Sequence, residues 1–292
     1  MKMYYYRGAR PNFGDVLNEW LWPRLLPDFF DGDERAFFLG IGSILYDFLP
    51  RDARKVVFGA GYGGYTPVPH IDDRWAFYFV RGPLTARTLG LDPSLAIGDA
   101  AILVRSCTPV GAPKVHRASF IPHWESAMDG NWVEASEQAG LHYIDPCGGV
   151  ERVIADILAS ELVVTEAMHG AIVADALRVP WVPVRPVQPT NRGKWFDWAS
   201  ALDIELRPQH IVPSNALEYA MSLTAGRRAK VLALRKRGQR LRSVGRGVFR
   251  RRAAKALLAA SKGPLHLSTD SAIERAHTRM LEQLERLRRD FS

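Results

Sequence analysis

The step from an apolar strand directly into a helix at residues 161–176, ELVVTEAMHGAIVADA, constrains the fold more than any other stretch. Residues 162–164 are too short a run for a buried helix and predict a buried strand, whereas apolar residues from 172 to 177 recur at helical spacing. His169 and Gly170 therefore form the turn. In a parallel sheet such a turn lies at the carboxyl end of a strand, where the helix start offers backbone N–H groups to an anion. A histidine there either contacts the anion or merely caps and packs the turn.

The same alternation of apolar strands and helices runs through residues 1–218 and restarts after a stretch rich in proline and glycine at residues 107–114. It predicts an α/β protein with two Rossmann-like domains, residues 1–112 and 113–218, that face each other across a cleft, followed by a basic helical extension at residues 219–292. The predicted strands are 3–7, 36–45, 55–61, 75–80, 95–104, 118–122, 141–144, 162–165 and 181–184, with helices at 15–26, 83–89, 132–139 and 150–159.

A second junction suited to an anion follows the strand at residues 75–80. Arg81, Gly82 and Pro83 open a helix there, and proline suits the first helical position. Arg81 thus stands at a helix N-terminus, where its guanidinium could bind a carboxylate or phosphate through two parallel hydrogen bonds. A surface arginine or a salt bridge between elements is the alternative.

Two further stretches supply candidates in the second half. His123 ends the first strand after the linker, although a structural role also fits it. Residues 185–198, RPVQPTNRGKWFDW, predict a long loop of the kind that carries substrate contacts. The tryptophans of this loop either stack on a sugar face or pack the loop. Its candidate residues are Arg185, Arg192, Lys194, Trp195 and Trp198.

Basic residues are concentrated at the carboxyl end. Residues 219–292 contain 19 Lys and Arg against 5 Asp and Glu, a net charge of +14, so residues 1–218 carry −6 of the overall +8. Within residues 226–260, apolar residues at nearly helical spacing predict a basic amphipathic helix suited to an anionic membrane surface. Nucleic-acid binding or a solvated tail would show the same composition.

Other features argue against several classes of protein. Cys107 and Cys147 are the only cysteines, which favours a reducing cytosol. The first twelve residues lack the apolar segment of a signal peptide, and no stretch has the length of a membrane span, so we expect neither secretion by that route nor an integral membrane protein. The sequence presents no metal-ligand cluster, Ser-His-Asp order or Walker loop, so we predict no metal.

Seven motifs occur in order along the chain: NFGDVLN at 12–18, GIGSIL at 40–45, VFGAG at 57–61, VRGPLTA at 80–86, IGDAAIL at 97–103, IPHWES at 121–126 and EAMHGAIVADAL at 166–177. This series resembles the polysaccharide pyruvyltransferases, in the branch that adds ketal pyruvate to bacterial exopolysaccharide. The resemblance implies a GT-B-like pair of domains. It also implies transfer of the enolpyruvyl group of phosphoenolpyruvate to a sugar with two free hydroxyls, giving a cyclic ketal and phosphate. Phosphoenolpyruvate is a substrate, and no cofactor is implied.

The resemblance also implies roles for individual residues. Arg81 matches the family arginine that holds phosphoenolpyruvate, and His169, with Gly170, matches the family histidine that serves as general acid or phosphate contact. Asp15 is the candidate for activating the acceptor hydroxyl. The candidates for acceptor binding are Asn12, His123, Trp195 and Trp198.

One position departs from the family pattern. Many members place an arginine two residues before the histidine, but this chain has Ala167 there. We hypothesise that Arg185, Arg192 or Lys194 replaces the missing positive charge from the following loop.

The resemblance gives the basic extension a reason as well. The expected acceptor is an oligosaccharide on a polyprenyl-diphosphate carrier, so residues 226–260 would hold the enzyme on the anionic cytoplasmic face of the inner membrane, with no role for nucleic acid. A GT-B glycosyltransferase with a nucleotide-sugar donor is the nearest rival. A non-catalytic scaffold that binds nucleic acid or membrane through the extension is another.

Overall fold

The chain forms two compact units, neither of which is continuous in sequence. The computed structural model describes residues 1–8, 10–109, 111–185, 193–224, 228–236 and 238–291. The first unit comprises Met1–Val110, Asn191–Leu206 and Ser268–Ser292, and the second comprises Gly111–Thr190 and Arg207–Leu267. The predicted limits, each a continuous segment, differ from this division because two later segments return to the first unit.

Strands and helices alternate along the chain, and the α/β class with parallel sheets is confirmed. The strands are β1 (Lys2–Tyr4), β2 (Ala36–Leu39), β3 (Arg54–Phe58), β4 (Trp75–Phe79), β5 (Ser119–Ile121), β6 (His142–Tyr143), β7 (Val163–Thr165), β8 (Trp181–Arg185) and β9 (Gln209–His210). The helices are α1 (Phe13–Leu25), α2 (Pro83–Thr88), α3 (Trp124–Asp129), α4 (Trp132–Ala139), α5 (Val150–Leu158), α6 (Met168–Ala176), α7 (Gly193–Ala201), α8 (Ala216–Ser222), α9 (Arg228–Lys236), α10 (Gly238–Ser243), α11 (Arg246–Ala260) and α12 (Asp270–Asp290).

The first unit is built on a parallel sheet with the order β1-β2-β3-β4. Phe38, Val57 and Phe58 on its central strands are fully buried, as is typical of parallel strands covered on both faces. Helix α1 is capped by Asn12, whose side chain accepts the N–H of Asp15. Helix α12 also belongs to this unit and buries an apolar stripe that includes Ile273, Met280, Leu284 and Leu287.

The prediction of a strand at residues 95–104 is wrong. This stretch instead contains a 3-10 helix at Ala100–Ser106, which begins where Asp99 Oδ1 accepts the N–H of Ala101 at 3.0 Å. Residues 100–104 are all buried. A short helix that is enclosed on every side has the same continuous apolar sequence as a buried strand, so the pattern alone does not separate the two.

The second unit is built on a parallel sheet with the order β6-β5-β7-β8-β9. Its core includes Phe120, Val164 and Val182 from the sheet and Trp132 from helix α4. The junction between strand β7 and helix α6 is the one predicted from residues 161–176. It lies at the carboxyl end of the sheet.

The basic extension is divided between the two units rather than forming a separate tail. Helices α8 to α11 fall in the second unit, where Ala253, Ala254, Leu257 and Ala260 of α11 join the core around α4. Small alanine side chains let these two helices approach closely. Gly245, with φ of 60°, separates α10 from α11. Among the described residues, no helix is both long and apolar enough to cross a lipid bilayer.

Candidate functional site

In the first unit, Arg81 lies at the junction of strand β4 and helix α2 and is completely buried. Its Nε donates to Asp197 Oδ2 at 3.0 Å, its Nη1 to Ser43 Oγ at 2.6 Å and its Nη2 to the carbonyl of Tyr62 at 3.1 Å. A Cβ at Gly61 would lie 2.2 Å from the guanidinium carbon, so any larger residue there would push the guanidinium away from these partners. Arg81 thus forms the salt bridge between elements that was the alternative interpretation. In this geometry its guanidinium is not exposed for binding phosphoenolpyruvate.

Asp197 on helix α7 is the centre of these contacts, and sequence reasoning missed it. It is 2% exposed and accepts the backbone N–H and the hydroxyl of Thr85 at 3.0 and 2.5 Å. A Cβ at Gly82 would come within 1.9 Å of the Asp197 carbonyl oxygen. Helix α7 is therefore fixed against the start of helix α2. The sequence signal that could have identified Asp197 is an acidic residue within the aromatic stretch KWFDW.

The prediction of a loop over residues 185–198 is wrong from Gly193 onward, where helix α7 begins. Trp195 is 8% exposed and Trp198 is fully buried. Burial assigns Trp198 to packing, and it leaves little of Trp195 for stacking on a sugar. Arg192 lies outside the described residues.

Two carboxyl groups near helix α7 have raised pKa values. Burial raises the pKa of Asp99 to about 6, against the opposing effects of its hydrogen bond from Ala101 and the charges of Arg81 and Lys194. Burial likewise raises the pKa of Asp15 to about 6, against a hydrogen bond from Asn12 and the charge of Lys194. Asn12 also caps helix α1 by accepting the N–H of Asp15, and its side-chain amide donates to the Asp15 carboxylate. The first unit thus groups Asp15, Asn12 and Lys194, as well as a fully enclosed Asp99.

A cavity of about 170 Å³ opens beside this cluster within the first unit. Gly63 and Gly64 line one part, and Lys194 and Asp197 of helix α7 line another. Its remaining walls come from Tyr62, Leu84, Thr85, Thr88 and Gly193. An ammonium group and a glycine-rich backbone suit it to a small polar ligand.

In the second unit, His169 lies in the first turn of helix α6 and is partly buried. The N-cap residue of this helix, Ala167, has no polar side-chain atom that could accept an N–H of the first turn. A Cβ at Gly170 would lie 2.7 Å from Thr165 Oγ1, so glycine lets the helix start close to strand β7. The helix start therefore presents its dipole and backbone N–H groups beside an imidazole, an arrangement suited to an anion.

Two other predicted residues lie at the same edge of this sheet. The backbone N–H of His123 donates to Glu166 Oε2 at 2.8 Å, which ties the end of strand β5 to the segment before helix α6. Arg185 ends strand β8, the neighbour of β7. Its Nε is shielded from solvent and has no hydrogen-bond partner in the described part of the chain. Arg185 is therefore a source of positive charge at the edge where Ala167 supplies none.

Helix α3, which His123 caps, is held by the basic extension. Arg235 of helix α9 donates to both carboxylate oxygens of Asp129, at 3.1 to 2.7 Å, and to Glu125 at 3.1 Å. Asp129 is 1% exposed, so this is a largely buried ion pair. One arginine that the composition assigned to a membrane surface thus supports the second unit instead.

A buried glutamate lies behind this region and was also missed from the sequence. Glu218 on helix α8 is fully buried and accepts hydrogen bonds from Trp132 Nε1 and from the N–H and hydroxyl of Ser214, each at 2.7 Å. Burial raises its pKa to about 8, although all three hydrogen bonds oppose the shift. Glu218 is therefore largely protonated at neutral pH.

Comparison with known proteins gives two findings. A family model described as polysaccharide pyruvyl transferase matches residues 10–186. The succinoglycan biosynthesis protein ExoV of Rhizobium meliloti (strain 1021) is 39% identical over 316 aligned positions that cover the whole of both chains. No solved structure matches the chain.

Proposed function

Because the chain belongs to the polysaccharide pyruvyl transferase family, we propose that it transfers pyruvyl from phosphoenolpyruvate to a sugar of a lipid-linked exopolysaccharide repeat unit. The products are a cyclic pyruvate ketal and phosphate. The family match over residues 10–186 carries this proposal, since it includes Asp15, Arg81, His123 and His169.

The donor would bind at the start of helix α6. Phosphoenolpyruvate carries a phosphate and a carboxylate, so it requires positive charge and N–H donors. His169 and the first turn of α6 offer the latter. Arg185 at the end of strand β8 offers a guanidinium with one nitrogen that lacks a partner among the described residues, and in this proposal it supplies the charge missing at Ala167. Lys194 is the cationic candidate of the first unit.

The first addition needs one proton donor and one proton acceptor. A sugar hydroxyl attacks C2 of the donor and loses its proton, while the methylene carbon gains a proton and becomes a methyl group. Phosphate then leaves, and the second hydroxyl attacks C2 and passes its proton to the departing phosphate, which closes the ketal and releases hydrogen phosphate. We assign the protonation to His169 and the deprotonation to Asp15, because general acid–base catalysis is most effective near the working pH and the pKa of Asp15 is about 6.

The proposed location at the membrane, where the acceptor lies, rests on the positive charge of the extension. Arg235, Arg242 and Arg246 form ion pairs within the second unit, whereas Arg240, Arg251 and Arg252 are exposed. We propose that these exposed arginines hold the enzyme on the cytoplasmic face of the membrane, where a polyprenyl-diphosphate-linked acceptor lies.

Phosphate release from phosphoenolpyruvate, with and without lipid-linked oligosaccharide extracted from the producing cell, tests the proposal. We expect release that depends on the acceptor. His169→Gln should lower kcat about 10²-fold or more, and Arg185→Ala should mainly raise KM. The exposed residues His70 and Arg117 provide the matched controls His70→Gln and Arg117→Ala.

Two further measurements distinguish pyruvyl transfer from the rival glycosyltransferase function. Absence of phosphate release, with an extract that serves another pyruvyltransferase as acceptor, would contradict the proposal. A rise in Tm with a nucleotide-sugar, and none with phosphoenolpyruvate, would then indicate a glycosyltransferase.

A further inference from the structure

Three side chains with metal-binding chemistry converge in the second unit, at the edge of the sheet opposite to His169. His116 lies just before strand β5, His142 is the first residue of strand β6 and Asp156 lies on helix α5. One ligand atom from each of the three lies within 4.8 Å of the other two. His142 follows His116 by 26 positions and precedes Asp156 by 14, so the three residues do not form a local sequence motif.

The two histidines pack directly against each other, beside Asp156. Their rings are parallel, with centroids 3.8 Å apart and planes at 1°. His142 Nε2 lies 3.5 Å from Asp156 Oδ2. This nitrogen is shielded from solvent and has no hydrogen-bond partner among the residues that the structure describes. Buried polar atoms normally have a partner, so a ligand held by all three side chains would satisfy it.

We propose that His116, His142 and Asp156 bind one divalent metal ion of the zinc class, with water completing the coordination. Two imidazole nitrogens and one carboxylate oxygen are ligands that zinc uses, and tetrahedral bonds of about 2.0 Å place ligand atoms roughly 3.3 Å apart. The pair of His142 and Asp156 is already near that spacing. The hard cations Mg²⁺ and Ca²⁺ prefer sites made of oxygen atoms.

Binding requires limited movement of the side chains. The two rings must turn out of their parallel stack so that both lone pairs point to one ion, and both histidines are only partly buried. Arg152 lies 3.9 Å from Asp156 Oδ2 but is 81% exposed. Such an exposed pair contributes little free energy and does not prevent the carboxylate from binding a metal.

The position of the site indicates a structural role. The backbone N–H of His116 donates to the carbonyl of Ala159 at 2.9 Å, and its carbonyl accepts the N–H of Glu161 at 2.8 Å. A metal would therefore join the first residues of the second unit to strand β6 and helix α5. Because the ion binds the folded unit, it should raise Tm.

Isothermal titration of the chelator-treated, full-length protein with ZnCl₂ tests the site. We expect one Zn²⁺ per chain, a Tm that rises with Zn²⁺ and no response to Mg²⁺. His116→Gln and His142→Gln should each weaken binding by more than the roughly 10- to 100-fold that loss of an outer-shell partner costs. His210 is exposed in the same unit, so His210→Gln is the control and should leave binding unchanged.

Cobalt provides a second measurement that does not depend on protein stability. Co²⁺ bound by the three residues should give visible absorption bands that disappear in His116→Gln, a variant of a partly exposed residue outside the sheet. A protein that takes up no Zn²⁺, or that retains the bound ion and the cobalt bands in His116→Gln and Asp156→Asn, would overturn the proposal. Neither outcome depends on pyruvyl transfer.

Discussion

Asp15 and Asp99 are both carboxyl groups whose pKa burial raises to about 6, yet only one is suited to act on a substrate. Asp99 is fully buried and caps the 3-10 helix at Ala100–Ser106. Asp15 is partly exposed at the start of helix α1. Asn12 accepts the N–H of Asp15 to cap that helix and donates to the Asp15 carboxylate, so structure and the proposed chemistry use the same residue.

Asp15→Asn should lower kcat about 10²- to 10⁴-fold, the range for loss of a general base. The wild-type rate should rise with pH through about 6, because Asp15 must lose its proton to act. The hydrogen bond from Asn12 lowers this pKa, so Asn12→Ala should move the acidic limb of the pH–rate profile to higher pH. Profiles of acceptor-dependent phosphate release measure both effects, and an unshifted limb in Asn12→Ala would assign it to another group.

Glu218 should make stability depend on pH. Its folded pKa is about 8, against an ordinary value of 4.5. Between these values the folded protein holds a proton that the unfolded chain has released, so the free energy of unfolding falls as pH rises, by up to about 1.4 kcal/mol per pH unit. Glu218→Gln keeps a neutral group and should flatten this slope.

Urea unfolding between pH 6 and pH 8 isolates this effect, because Asp15 and Asp99 have pKa values of about 6 and contribute mainly below that range. Glu137 on helix α4 is exposed, and Glu137→Gln should retain the wild-type slope. An equally steep slope in Glu218→Gln would contradict the assignment.

Helix α7 shows which elements the sequence could and could not predict. Strands β1 to β8 and helix α6 followed from local apolar patterns, because burial on a sheet leaves a periodic record in the sequence, whereas the two-residue strand β9 was not predicted. Helix α7 was hidden because its order depends on Arg81, a partner 116 positions away in sequence. The partners of Asp129 and Glu218 are equally remote, at separations of 106 and 86 residues.

Asp197→Ala should destabilise the first unit, because it leaves the buried guanidinium of Arg81 without its carboxylate. Breaking a buried ion pair on one side costs about 3–5 kcal/mol. The double variant Arg81→Met, Asp197→Leu removes both charges and should recover part of that loss. Urea unfolding measures the difference, with Arg87→Ala, a change of an exposed arginine on helix α2, as control. A double variant less stable than Asp197→Ala would contradict this explanation.

Arg235→Ala should loosen helix α9 and expose it to protease. The change leaves Asp129 buried without its bidentate partner, at a cost on the order of 2 kcal/mol because Arg235 itself is 22% exposed. Limited proteolysis should then cut residues 228–243 faster. Arg251→Ala, on an exposed residue of helix α11, should leave the cleavage rate unchanged; equal rates in all three proteins would contradict the prediction.

At the scale of the whole molecule, the sequence predicted the charge of the extension but not the unit to which each of its segments belongs. The concentration of +14 in residues 219–292 is evident from composition. The division of these residues between the two units is not evident from composition. Helix α11 contributes an alanine face to the second unit, and helix α12 contributes an apolar stripe to the first. Deleting residues 226–292 would therefore remove parts of both cores. Loss of membrane binding by that truncation would not isolate the effect of charge.

Substituting exposed arginines by glutamine tests the effect of charge on membrane binding without removing core residues. Arg240→Gln, Arg251→Gln and Arg252→Gln together should weaken binding to vesicles of phosphatidylglycerol and phosphatidylcholine by about 3 kcal/mol, roughly 150-fold, at about 1 kcal/mol per basic residue. Wild-type binding should weaken as salt rises, since exposed charges are screened. The triple variant Arg87→Gln, Arg117→Gln and Arg152→Gln loses the same charge from other exposed positions. Equal binding of the two triple variants would show that net charge alone, rather than this segment, directs the protein to the membrane.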